Sequence, residues 1–137
     1  MANVAEALQE LGITEWVLRG EPTTEDEFNS MFAKVTGADS NGSAIESSDP
    51  ADFGTTWTAV SAKMDEIDAA APMKELRRQR NAKLAESDWM GNSDVTMSTA
   101  WKNYRKALRD LPASATPKLD TNGMLDQSSV TWPTKPS

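Results

Sequence analysis

Val4, Leu8 and Leu11 recur at helical spacing behind Asn3, whose short polar side chain suits an N-cap, and Gly12 offers the left-handed stop that ends a helix. The pattern predicts a helix over 3–11. The next apolar run, Ile13-Thr14-Glu15-Trp16-Val17-Leu18, is β-branched and aromatic and is closed by Gly20 and Pro22, which reads as a short strand or extended segment. Thr24 then precedes Glu25-Asp26-Glu27, a capping-box arrangement that also sets acids at the positive end of a helix. Phe28, Met31, Phe32 and Val35 follow on one face and predict a helix over 25–35, packed on the first helix and on Trp16. Residues 36–54 are crowded with Gly, Ser, Asn and Asp and hold few groups that could fill a core, so they read as a loop and a boundary.

Beyond that loop, Trp57, Val60, Met64 and Ile67 mark a helix that starts near Thr56. Pro72 suits the first turn of a new helix but disfavours helical backbone at Ala71, so the chain should bend or restart there, with a further helix over 73–86. Its apolar stripe of Met73, Leu76 and Leu84 is thin among Lys74, Arg77, Arg78, Arg80 and Lys83, so it needs neighbours. Thr96 or Ser98 can cap a last helix bearing Trp101, Tyr104, Leu108 and Leu111, which Pro112 terminates. In the tail, Asp120-Thr121-Asn122-Gly123 is a turn signal for a small hairpin between Lys118-Leu119 and Met124-Leu125. The expected fold is mainly α, with five helices. It comprises an α-rich N-terminal domain with an acidic surface, a short strand and a loop (1–54), a helical assembly module (55–112) and an extended Pro-containing C-terminal arm (113–137).

Composition narrows the chemistry. The 137 residues include neither His nor Cys, which excludes a Cys/His zinc site, a His-based triad, a thiol nucleophile and a disulfide. No apolar run approaches the roughly 20 residues that span a bilayer, and the first residues lack a basic stretch followed by an apolar one, so a soluble, unexported chain without membrane contact is expected. The net charge of −7 is uneven: about −11 over 1–72, about +4 over 73–111 and about zero beyond. That polarity favours an oriented protein partner. It argues against nucleic acid, because the acidic half repels the phosphates that the basic helices attract.

Each conspicuous group has a plainer reading. Glu25-Asp26-Glu27 is better explained as a helix start than as a catalytic pair, since nothing marks a cleft around it. Asp120-Thr121-Asn122-Gly123 with Asp126 has part of a calcium-loop pattern, but the Gly comes too early and Thr131 stands where the closing Glu belongs, so no metal is expected. Gly37 to Gly42 lacks the lysine of a phosphate cradle, and no nucleotide or other cofactor is expected. Trp57, Trp89 and Trp101 can serve as core fillers, and Arg77, Arg78 and Arg80 as a solvated face. The sharper alternative pairs these arginines with acids of the N-terminal half, in the same chain or in a second copy. An enzyme, such as a carboxylate-dependent hydrolase, has only the abundance of Asp and Glu in its favour.

In the second half the order of motifs is the informative feature. A Leu/Arg-rich helix ends in Arg80-Asn81 and Leu84, and a Glu86-Ser87-Asp88-Trp89 corner follows. Then come a helix with Trp101, Tyr104-Arg105 and Ala107-Leu108-Arg109-Asp110, and a terminal Trp132-Pro133-Thr134-Lys135-Pro136. Over about residues 70–136 this series resembles the phage tail assembly chaperone family. Ile13 to Gly20 and the Thr56-Trp57 helix are similar to companion segments of such proteins in tailed phages of marine cyanobacteria. The stretch Met90-Gly91-Asn92-Ser93-Asp94-Val95-Thr96-Met97 departs from the family, whose loop here often holds more prolines and acids.

The resemblance implies a non-enzymatic role at the phage tail, with tail or tail-fibre proteins as partners and host cytoplasm as the place of assembly. The expected partner-binding residues are Arg77, Arg78, Arg80, Trp89, Trp101, Tyr104, Arg105, Trp132, Pro133 and Pro136. Trp101, Tyr104 and Leu108 should pack against Met73, Leu76 and Leu84, while Trp132 and the prolines carry the arm onto a neighbour. A resident of the virion tail, with homo-oligomers inside the particle as one arrangement, is the leading expectation. The alternative is a transient fibre-assembly chaperone absent from the mature virion.

Overall fold

The computed structural model describes residues 1–137. It contains four α-helices, α1 Val4–Glu10, α2 Glu25–Met31, α3 Trp57–Ala85 and α4 Thr99–Ser114, and three strands, β1 Trp16–Leu18, β2 Phe32–Ala38 and β3 Ala44–Ser47. The strands form one antiparallel sheet in the order β1-β2-β3. The chain divides into two compact units, Met1–Ala69 and Ala70–Ser137; α3 begins in the first and ends in the second. The first unit is mixed α/β, which corrects the expectation of a mainly α protein.

In the first unit, Asn3 caps α1 as expected. Its Oδ1 accepts the Glu6 N–H at 2.8 Å while the Glu6 carboxylate accepts the Asn3 N–H at 3.0 Å. Gly12 ends the turn at φ +75, a conformation that costs glycine nothing. The following strand is shorter than the 13–18 run because Glu15 also takes a left-handed conformation (φ 56), so extended pairing begins only at Trp16. Thr24 caps α2 through the Glu27 N–H at 3.2 Å, and the Glu27 carboxylate reaches one residue further back than a capping box requires, to the Thr23 N–H.

Two expectations fail here for one reason. Helix α2 stops at Met31 instead of running to 35, and residues 36–54 are not a bare loop, because Phe32–Ala38 pairs on both sides. Leu18 faces Phe32 and Trp16 faces Lys34 on one edge, while Lys34 faces Ser47 on the other, with a register shift between Val35 and Gly37. The apolar spacing of Phe28, Met31, Phe32 and Val35 fits a helix, but Phe32 to Lys34 pair with β1 and Lys34 and Val35 with β3, and tertiary pairing decides. The turn formers Asp39 to Gly42 are the hairpin tip, where Asp39 Oδ1 accepts the Asn41 and Ser43 N–H groups.

Phe28, Phe32 and Phe53, which a 3-10 turn at Pro50–Asp52 delivers, form the heart of the core with Val4, Leu8 and Val60. The rings of Phe32 and Phe53 meet edge-on at 4.6 Å. Each fully buried ring contributes about 1.5–3 kcal/mol of transfer free energy. Trp16 and Trp57 border this core, so the N-terminal tryptophans serve packing.

Five helices were expected and four exist, because α3 runs through Pro72 without restarting. The Ala69-Ala70-Ala71 run has the highest helix propensity available and carries the chain across the hydrogen bond that Pro72 cannot make to Asp68. Ser98 caps α4 by accepting the Trp101 N–H, and Pro112 lies inside its last turn instead of ending it; the helix continues to Ser114.

The C-terminal segment is irregular but does not stand free. Leu119 and Leu125 pair across the expected turn, with Gly123 at φ +78 and Asp120 Oδ1 accepting the Asn122 and Met124 N–H groups. Leu125 and Val130 are buried with Leu76, and Met73, Leu111, Ala115 and Trp132 close around them. The extended arm of the sequence reading is therefore folded onto α3. Its apolar residues cover Met73 and Leu76 of that helix. No helix is long and apolar enough to cross a membrane.

Candidate docking surface

Helix α3 ends with carbonyls that no helical N–H can reach, and the corner after it must satisfy them. Arg105, on α4, does so. Its Nη1 donates to the Leu84 carbonyl at 2.8 Å and to Ser87 Oγ at 2.6 Å, and its Nη2 donates to Asp88 Oδ1 at 2.8 Å. Ser87 is buried, the one polar residue in the chain that is. A guanidinium at a helix C-terminus is also favoured by the helix dipole, and its planar fork reaches several acceptors at once. Arg105, expected to bind a partner, is engaged by its own chain.

The braced corner continues as a 3-10 turn, Asp88–Gly91, and displays Trp89, which is 56% exposed. Trp89 stands alone among the tryptophans in this. Trp101 is half-buried and meets Tyr104 edge-on at 5.6 Å, and Tyr104 is buried.

Trp132 is half-buried and held on three sides. The ring borders the Leu76 cluster, its Nε1 donates to Gln127 Oε1 at 2.7 Å, and Lys83 Nζ lies 5.0 Å from its centroid, within cation–π range. Gln127 in turn donates to Gln79 Oε1 at 2.9 Å, and Gln79 donates to Glu75 Oε1 at 3.0 Å. This relay of glutamines fastens the arm to α3. It went unread in the sequence because a glutamine carries no periodic or motif signal of its own. Pro133 and Pro136 are half-buried, and Lys135 pairs with Glu86 at 3.6 Å.

Of the basic residues on α3, Arg78 is paired with Glu75 by two hydrogen bonds, 2.6 and 2.9 Å. That partner, and then Gln79, hold the Glu75 carboxyl down at about 2, well below its ordinary 4.5. Arg80 donates to Asn81 Oδ1 and to the Arg109 carbonyl. Lys74 and Arg77 are exposed and lie with Met73 along a shallow groove on the helix. The structure thus does not gather the ten expected residues into one patch. It leaves Trp89 and Arg77 outward and turns Arg105 and Trp132 inward. No three His, Cys, Asp or Glu side chains converge as a metal site would require.

Residues 73–137 match the sequence model of the family described as phage tail assembly chaperone protein. This segment, a little under half of the chain, is similar to the phage tail assembly chaperone family. The match starts at Met73, close to where the second compact unit begins, so the family segment nearly coincides with a physical unit that includes the basic half of α3, the braced corner, α4 and the folded arm. No curated protein and no solved structure matches the chain. The family assigns a role in phage tail assembly and tail proteins as partners.

Proposed function

We propose that the protein is a non-enzymatic helper that docks transiently on a tail or tail-fibre subunit during assembly in the host cytoplasm and leaves before the virion is complete. The observation that carries this reading is the single exposed tryptophan, Trp89, held out on a corner that Arg105 makes rigid. A large ring presented on fixed backbone loses little entropy on binding, which is what a hot spot requires. Because the other rings are occupied within the chain, the apolar surface left for a partner is small, as suits contacts that must later break. Residence in the tail, the leading expectation from the sequence, drew its support from a free aromatic arm, and the intrachain seat of Trp132 removes that support.

Pull-down from infected cells and mass spectrometry of purified virions together test the proposal. Tail proteins should co-purify with the wild-type chain, and the chain itself should be missing from finished particles. Stoichiometric recovery from virions would sink the transient role and restore the resident structural adaptor. Trp89→Ala should weaken capture of the tail subunit by about 2 kcal/mol while leaving the thermal midpoint unchanged; equal capture would remove Trp89 from the interface.

A further inference from the structure

We propose that copies of this protein associate head to tail, the basic face of α3 in one copy seating in an acid-rimmed groove on the N-terminal unit of the next. That groove has an apolar floor of Pro22, Trp57 and Met64, with the carboxylates of Glu21, Asp65 and Asp68 around it and no Lys or Arg side chain lining it. Two of the acids are held by backbone donors: Glu21 accepts the Val4 N–H at 2.8 Å and Asp68 the Ala2 N–H at 2.5 Å. Asp65 is exposed and takes part in no ion pair.

The complement is the groove of the second unit. Met73 lines it together with Lys74 and Arg77, and neither cation is in an ion pair. An apolar side chain flanked by two uncommitted cations matches an apolar floor flanked by three carboxylates. A second copy of the chain is the occupant for which both halves of that match are present.

The net charge of −7 opposes self-association at long range. At physiological ionic strength, however, screening confines interactions to about 8 Å, so the facing charges decide and the rest of the surface does not. The two faces differ, which makes the contact heterologous. Each copy in a pair keeps one face open, and chains or closed rings follow. The association is independent of docking through Trp89.

Sedimentation of the full chain from micromolar to millimolar concentration tests it. The wild type should grow in mass with concentration, and should revert to monomer when salt is raised from about 0.01 M to about 1 M, which shortens the Debye length from about 30 to about 3 Å. The double variant Lys74→Glu/Arg77→Glu and the double variant Ser61→Lys/Asp65→Lys should each be monomeric, association weakening at least about tenfold, with unchanged circular dichroism. Mixed, they should associate again, because each retains the face the other has lost and the two reversed faces are themselves of opposite charge.

Should a reversed variant lose its fold, Arg77→Gln and Asp65→Asn replace the pairs, each with about threefold weaker association. A wild type that stays monomeric throughout overturns the proposal. So does growth that either variant leaves intact, or a mixture that remains monomeric; a basic face serving only another protein would give the first of these.

Discussion

Arg105 shows how much one side chain can hold. Its three acceptors belong to a helix end, a buried serine and an acid, all at one corner, and removing it takes a charged donor from each, leaving the Ser87 hydroxyl and the Leu84 carbonyl only their weaker contact with each other and the Ser87 N–H. Arg105→Ala should therefore destabilise the C-terminal unit by about 2 kcal/mol in denaturant titration. Arg105→Lys should recover only part, since an ammonium lacks the fork that meets all three. Trp132 makes the complementary case. Were it a partner's anchor, Trp132→Ala would leave stability alone; seated against Leu76, Leu125 and Val130, it should instead cost about 2 kcal/mol of folding free energy, read from the thermal midpoint. The sequence exposed Trp132, Trp89 and Arg105 as residues of interest but could not sort inward from outward. That distinction depends on which helix face the arm covers, a non-local fact that no spacing along the chain encodes.

Among the elements, those with local signals were legible: the Asn3 and Ser98 caps, the Gly12 stop and the hairpin at Asp120 to Gly123 all lie where the residues place them. The misread elements are those where a distant partner overrides a local preference. Phe32 to Val35 has helical spacing and becomes a strand because β1 and β3 are there to pair with it. Pro72 is a local break that the surrounding helix outweighs. Since α3 already continues through that position, Pro72→Ala should need no rearrangement, should restore a hydrogen bond to the Asp68 carbonyl and should stabilise the helix by about 1–3 kcal/mol. Slower amide hydrogen exchange around residues 70–76 would show it, and unchanged exchange would mean that the helix already compensates in another way.

For the molecule as a whole, charge is the organising quantity. The first unit carries about −11 on 69 residues, so its compact state works against its own repulsion. Added salt should therefore slow hydrogen exchange in α1 and the sheet, and should do so at concentrations that already screen surface charge. An insensitive first unit would show that local pairing, such as Arg19 with Glu46, already neutralises the field.

The buried seat of Val130 and Trp132 against Leu76 also sets a timetable for the newborn chain. The N-terminal unit holds its whole core within Val4 to Met64 and can settle while the ribosome is still translating the remainder. The second unit cannot, because the cover of Leu76 on α3 is complete only once Leu125, Val130 and Trp132 have emerged. Until then part of its apolar stripe is bare, so the newborn chain carries an unfinished surface before the completed one.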